Sequence, residues 1–250
     1  MHHAKRDGPQ ARPASPCLAR TVLTRTMSAS RSVQPATPRV PLAEPSSSHH
    51  VLGWDEMGLG GEFDGARLEG ASGATDLSDV TFRDCVVARA DLSGADLTRS
   101  RWEGSLLEGV FADELRAGKS SWRNVMLRQS RMGVLDLVDA KVQAVRIGGA
   151  KLGRVDLRRA IVTDLLIEDA VIEELDLDEA KATRISFSEV HIGRLSLHGS
   201  VLKDVDLRGA RLAGVGPVMG LRGAIITDWQ LQELAPALAA DLGLRVLGEG

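Results

Sequence analysis

From Leu77 to Leu212 every fifth residue is apolar, without a polar exception in 28 successive positions. The run includes Leu77, Phe82, Val87, Leu92, Leu97, Trp102 and Leu107 at one end and Ile192, Leu197, Leu202, Leu207 and Leu212 at the other. A period of five fits neither regular element. Five helical residues advance about 500° and walk round the helix, and odd spacing along a strand alternates faces. The chain must therefore turn a corner once per repeat. Two residues before each centre stands a second restricted position, filled by Ala, Ser, Val, Leu, Ile, Cys or Thr. In a unit such as Ala95-Asp96-Leu97, the outer two residues point inward and Asp96 points out, and the next two residues make the corner. Glycines at 94, 104, 109, 149, 199 and 209 recur at the second corner position, where a positive φ is often required. Four corners close a square coil of twenty residues.

The aromatic residues support the twenty-residue coil independently. The chain has only 4 Trp and 4 Phe in 250 residues, so the core is aliphatic and small. Phe82, Trp102 and Trp122 nevertheless fall on one face in consecutive coils, followed by Val142, Val162, Ala182 and Leu202. Their inward partners begin Val80, Ser100 and Ser120, small residues beside the largest centres, as a fixed interior volume demands. The opposite face also has mostly small partners, and the two faces between carry larger ones. This alternation predicts two turn geometries on alternating sides.

Units such as Ala90-Asp91-Leu92-Ser93-Gly94, Ala95-Asp96-Leu97-Thr98-Arg99 and Val205-Asp206-Leu207-Arg208-Gly209 resemble the A-(D/N)-L-x-x unit of the pentapeptide-repeat family. The resemblance implies an all-β solenoid, a right-handed quadrilateral β-helix. Here it would have about seven 20-residue coils, roughly 34 Å long at strand spacing, and a short C-terminal helical cap. Val, Leu and Ile often replace the Ala of the unit, which suggests a fuller interior. For function the resemblance is weak, since a fold does not dictate one.

The ends read differently. Residues 1–50 are rich in Pro, Ser, Ala and Arg, show no sustained periodicity, and read as a disordered tail. An ordinary tail, an upstream extension of a chain starting at Met27 and a targeting segment all remain open. Residues 51–76 form an N-terminal cap and irregular first coil. Phe63 and Leu68 keep the five-residue spacing one residue out of phase with Leu77, so Glu69 to Thr75 must absorb the slip, with Leu52 and Trp54 closing the end. The β-helix occupies 77–214 and a helical cap 215–250. In the cap Thr227 and Gln230 have capping-box spacing, Leu231, Leu234 and Leu238 share a stripe, Pro236 divides the helix, and Leu242, Leu244 and Val246 form a closing apolar segment.

No chemistry emerges. Gly118-Lys119-Ser120 resembles the end of a phosphate-binding loop, but Asp113 stands where its first Gly should, and both Lys119 and Ser120 fit the repeat. His191 and His198 lie on different faces without a Cys or a second His at ligand spacing. No Gly-x-Ser-x-Gly elbow occurs, and Glu173-Glu174 belong to a solvated corner. The sequence thus points to no enzyme, with no catalytic residues, cofactor or metal. Cys17 and Cys85 offer no disulfide framework, and no apolar run approaches a membrane span. The reading is a soluble, cytoplasmic protein without membrane contact.

What remains is surface. Residues 1–50 carry 7 basic and 2 acidic residues, whereas 51–250 carry 24 and 32, a net of −8 that disfavours direct nucleic-acid binding. Outward residues Asp76, Asp96, Asp136, Asp156 and Asp176, interrupted by Arg116, form an acidic strip. It is either turn chemistry of the repeat or a site for a basic protein partner. On a second face Val86, Leu106, Met126 and Leu166, with Phe111 round the corner, form an outward apolar ladder. The ladder is either a protein interface or a surface covered by the amino-terminal segment. Two function classes compete. The resemblance extends to fluoroquinolone-resistance members of the family, which mimic duplex DNA and bind DNA gyrase, and it implies a homodimer through the C-terminal cap. The alternative is a scaffold protein that binds through the apolar ladder.

Overall fold

The computed structural model describes residues 35–40, 50–56, 60–73 and 75–247, and Pro35–Gly250 form one compact unit. Most of the segment 1–50 expected to be disordered lies outside the described residues. Two parts of it do not match that expectation. Arg39 donates its backbone N–H to Asp164 at 3.0 Å, and His50 already belongs to a strand, His50–Leu52.

The chain is a parallel β-solenoid of about nine turns followed by a single helix, α1 (Asp228–Asp241). From Thr81 to Ser196 the strand residues pair at a separation of twenty. Trp122 lies opposite Val142, Val142 opposite Val162, and Leu135 opposite Val155 and Leu115. The two turns beyond the seven expected come from the irregular ends. At the amino end Phe63 pairs with Phe82 and Leu68 with Val87, a separation of nineteen, and the register steps to twenty between Glu69 and Gly70. Trp54 closes this end, its indole N–H donating to the Glu69 carbonyl at 2.9 Å.

The centres of the five-residue spacing are buried from Leu77 to Leu207, and only Leu212, at the end, is half-exposed. The aromatic face stacks as a ladder, Phe82 on Trp102 at 3.9 Å between centroids and Trp102 near Trp122 at 5.6 Å, with Phe63 adding a rung at 6.1 Å. Ser100 and Ser120 do more than save volume beside these rings. Each hydroxyl accepts the indole N–H of the tryptophan two residues on, at 3.0 and 2.8 Å, so the buried donors are satisfied. Ser105 and Ser130 are equally committed. Each accepts a backbone N–H from the rung before and donates to a carbonyl of its own rung.

The corners correct the expected alternation. In one coil Asp139, Ala144 and Gly149 have φ of 59°, 53° and 63°, whereas the fourth corner, at Arg154, has no positive φ. The next coil repeats this with Arg159, Asp164 and Asp169 but not Glu174. Corner geometry therefore repeats with the coil and not with every second side. In the middle coils one corner is a hydrogen-bonded turn, as in Leu157–Ala160, where the Ala160 N–H donates to Leu157 O at 3.0 Å, and near the two ends Leu92–Ala95 and Leu207–Ala210 add a second. Non-glycine residues in the left-handed region cost about 1–2 kcal/mol each. Rung-to-rung bonds such as Arg159 N–H to Asp178 O at 2.9 Å hold them there. Gly209 differs from the other corner glycines in lacking a positive φ. A Cβ there would lie 2.0 Å from the Phe187 carbonyl oxygen, so close approach and not chirality requires it.

The carboxyl end also departs from expectation. α1 is continuous through Pro236, because the ring removes one internal donor while the capping box formed by Thr227 and Gln230 and the burial of Leu234 fix the helix on the coil. Leu231 is exposed, and Gln230 and Leu234 form the buried face. The Gln230 side chain accepts the Thr227 N–H and donates to the carbonyls of Leu207 and Ala210 at 2.8 and 2.7 Å, satisfying acceptors of the last coil. Leu242, Leu244 and Val246 do not close the core. They are 61%, 61% and 78% exposed.

Two outcomes follow from this packing. Gly153→Ala would set a Cβ 2.4 Å from the Gly133 carbonyl oxygen, and should lower unfolding stability by about 1–3 kcal/mol in a denaturant titration. Gln230→Leu keeps the volume but removes the side-chain donor from the Ala210 carbonyl and leaves Leu207 O with the Ala210 N–H alone. It should lower the denaturant midpoint by an equivalent of about 1–3 kcal/mol while leaving the β signal of the folded baseline intact.

Candidate interaction surface

Because the coil turns with a period of twenty, any outward position recurs as a column parallel to the axis. The sequence-predicted strip is such a column. Asp76, Asp96, Arg116, Asp136, Asp156, Asp176 and Ser196 stand on successive rungs. The structure brings the five aspartates together, but it does not leave them free. Each carboxylate accepts the backbone N–H two residues on, from Ser78, Thr98, Val138, Arg158 and Asp178, at 2.9 to 3.2 Å. These are side-chain-to-backbone turns, the local chemistry for which Asp is favoured at such positions.

At the far end of the strip the charge is also compensated. Asp156 and Asp176 are each 5% exposed. Arg154 reaches Asp176 at 2.7 Å and Asp156 at 3.3 Å, and Arg158 grips both oxygens of Asp156. The two carboxyls respond oppositely. Burial pushes Asp156 upward, but the Arg158 side-chain and backbone hydrogen bonds outweigh it, and the group is held below the ordinary range. Asp176 is raised, by burial first and then by the neighbouring charges of Asp178 and Asp156. Arg154 and Arg158 flank the strip at two residues to either side of Asp156, and a reading of outward positions alone passes over them.

A second feature missed by the sequence reading is a set of ion pairs one turn apart. Arg99 meets Asp79, Arg123 meets Glu103, Arg128 meets Glu108, Arg159 meets Asp139, and Arg184 meets Asp164, each arginine twenty residues after its acid. The signal was present as opposite charges at the coil period. These pairs neutralise much of the acidic surface locally.

The apolar ladder is a column in Val86, Leu106, Met126, Arg146 and Leu166, but its expected exposure is not what the structure has. Val86, Leu106 and Met126 are 5%, 3% and 4% exposed and form a small cluster with Ala88, apart from the interior core. Leu166 is half-buried, and Arg146 pairs with Glu168 at 2.7 Å. Phe111, 42% exposed, belongs to another column, with Arg131, Lys151 and Val171. These four border an open groove of about 810 Å³ whose floor includes Gly133 and Gly153. The exposed apolar side chains Trp229, Leu231, Leu242, Leu244, Val246 and Leu247 lie in and after α1.

Lys119 occupies a left-handed corner and Ser120 is buried beneath Trp122, so the phosphate-loop resemblance is absorbed by the repeat. Among the described residues no three His, Cys, Asp or Glu are grouped to hold a metal ion, and no helix is long and apolar enough to cross a membrane.

With the coil and its columns in place, comparison with known families is direct. The family model described as pentapeptide repeats matches residues 75–110 in eight copies. Residues 75–110 are pentapeptide repeats. The same twenty-residue pairing continues beyond them through Ser196 in unbroken register. Among solved structures the chain is similar to full-length QnrB1, a plasmid-mediated fluoroquinolone resistance protein. The identity is 15% over 76% of this chain and 99% of that one, with a TM-score of 0.33. It is also similar to HetL of the cyanobacterium Nostoc sp. strain PCC 7120, a pentapeptide repeat protein involved in heterocyst differentiation regulation. There the identity is 17% over 74% and 92% of the two chains, with a TM-score of 0.29. No curated protein matches the sequence.

One ion pair of the coil gives a pH-dependent outcome. Arg184 binds both oxygens of Asp164 at 2.6 and 2.7 Å and, against its burial and with help from the Arg39 N–H, holds that carboxyl below the ordinary range. A depressed carboxyl contributes stability in full above its ordinary value, and loses it as pH falls through the depressed one. Asp164→Asn, which keeps an acceptor for Arg39, should therefore cost about 1–2 kcal/mol at neutral pH. The urea midpoints of variant and parent should converge once the pH is well below about 4.

Proposed function

We propose that the coil is a protein-binding rod without chemistry of its own, and that its partner is a protein that ordinarily grips an anionic duplex, with DNA gyrase the first to be tried. The observation that carries the reading is the net charge of −8 over residues 51–250, borne on a filled coil whose outward positions repeat at a fixed rise. Such a surface offers acids at regular axial intervals, as a duplex offers phosphates. The column from Asp76 to Asp176 is the part to examine, its least compensated members being Asp76, Asp96 and Asp136. A homodimer through the exposed apolar residues of α1 and the tail after it would lengthen the rod. The acidic surface also argues against direct binding to nucleic acid.

A second reading has its own observation. The groove bordered by Phe111, Arg131, Lys151 and Val171 combines exposed apolar and basic groups, and suits an acidic, partly apolar segment of another protein. The buried row of Val86, Leu106 and Met126 is not available for that role.

Supercoiling by purified gyrase, measured with the full chain across a range of ionic strengths, separates the readings. Mimicry of a duplex predicts inhibition near stoichiometric protein that weakens as salt rises. It also predicts that Asp96→Lys relieves inhibition and Phe111→Asp does not. An absence of inhibition by folded protein at low salt would reject gyrase as the partner.

A further inference from the structure

The exposed column that includes Phe111, Arg131, Lys151 and Val171 is longer than the groove that these four border. It begins at Asp91 and continues through His191 and Arg211, one residue on each rung, and every member is exposed. Many arginines on the coil are gripped by an acid, as Arg99 by Asp79 and Arg184 by Asp164. The side chains of Arg131, Lys151, His191 and Arg211 are different, and have no such partner among the described residues. Four unpaired basic side chains in one line, on a coil of net charge −8 over residues 51–250, form a face without its counterpart.

The aspartate column has the same rise as this one, because both belong to one ladder. Two copies of the chain laid side by side are therefore commensurate along their length. With the copies antiparallel and Arg211 of one opposite Asp76 of the other, the same alignment sets His191 opposite Asp96 and Lys151 opposite Asp136. These are the least compensated acids of the column. No rung then opposes like charges. Arg116 meets Val171 and Ser196 meets Asp91, while Arg131 meets Asp156, which Arg158 already grips. Phe111 meets the rung of Asp176, where the Arg154 guanidinium that covers the carboxylate at 2.7 Å offers a cation to the ring. A shift of one rung sets Arg116 against Lys151 or His191. One parallel alignment, with Arg131 opposite Asp76, also matches the three acids, but it engages five rungs and not seven. The opposite face of the coil carries Arg101, Lys141 and Lys181 on every second rung, and so cannot match Asp76 and Asp96 on successive ones.

We propose that the basic column is a seat for the aspartate column of a second copy of this chain, laid antiparallel. The proposal rests on the reading of the groove as a site for acidic groups and names its occupant, and it is independent of gyrase. The two columns lie on adjacent faces, so a copy docked through one leaves its other open and association does not stop at two. Six rung intervals of about 4.8 Å and a side about 15 Å wide bury roughly 900 Å² over both copies, the low end for a specific contact. Association is therefore weak and governed by salt.

Equilibrium sedimentation of the full chain tests this. At low salt the weight-average mass should climb between about 5 and about 500 µM protein without levelling at a dimer, and about 0.5 M salt should return it to its dilute value. Lys151→Glu and Arg211→Glu should each lower the association constant at least about tenfold. Adding Asp136→Lys to Lys151→Glu should restore association, and adding Asp96→Lys should not. Arg211→Glu with Asp76→Lys serves if Asp136→Lys, which loses the turn bond from Val138, fails to fold. Restoration by Asp96→Lys in place of Asp136→Lys would overturn the antiparallel alignment. A mass that stays constant at low salt, or association indifferent to salt and to Lys151→Glu, would overturn the proposal itself. Titration with short poly-L-glutamate then tells that failure from failure of the groove reading. Binding to the parent chain that is lost in Lys151→Glu leaves the groove a site for acids without a second copy, and binding to neither rejects both.

Discussion

Everything in this fold depends on a backbone hydrogen bond repeated at one interval. An N–H in one turn meets a carbonyl about twenty residues away, as when Arg131 N–H donates to Val110 O and Lys151 N–H to Ser130 O. A parallel ladder of this kind has no local contacts to fall back on, since each rung is stabilised only by those above and below. The five-residue apolar spacing is the condition that keeps the ladder in phase. Displace one centre by a residue and its side chain leaves the interior. The amino end shows how narrow the tolerance is. There the pairing interval is nineteen, and a single irregularity between Glu69 and Gly70 restores twenty before the long regular stretch begins.

The same periodicity explains which features could be read from the sequence. Phe82, Trp102 and Trp122 are twenty apart and had to stack once the coil closed, and the phase of Phe63 and Leu68 placed the slip within a few residues. These are consequences of interior volume and register, which a linear pattern records. Corner geometry was not legible in the same way. Asp139, Ala144 and Arg159 all take the left-handed conformation although only glycine advertises it, because interchain-like bonding from the next rung overrides local preference. Pro236 misled for a related reason, since its penalty is local while the anchorage of α1 through Gln230 and Leu234 is tertiary.

For the surface, sequence periodicity identified columns but not their environment. The aspartate column is real, yet its carboxylates are already occupied by the turns that they make, and Arg154 and Arg158 arrive from adjacent positions to neutralise its end. The apolar column is also real, but Val86, Leu106 and Met126 are buried, and a pattern of outward positions records direction without recording exposure. Charge pairs at a separation of twenty were readable in principle. Once the coil length is known, Arg99 with Asp79 and Arg184 with Asp164 follow from the same arithmetic as the tryptophans.

The side-chain amide of Gln230 gives the coil a property that its repeats lack. A parallel ladder is open at both ends, and each open end is a template on which another strand could add. The repeats contain no instruction to stop, and nothing in their own chemistry distinguishes a ninth turn from a tenth. By filling the carbonyls of Leu207 and Ala210 from a helix that crosses the end, Gln230 removes the acceptors that an incoming strand would need, while Trp54 takes the Glu69 carbonyl at the opposite end. Two side chains thus convert a sequence that could grow as a fibre into a molecule of finite length.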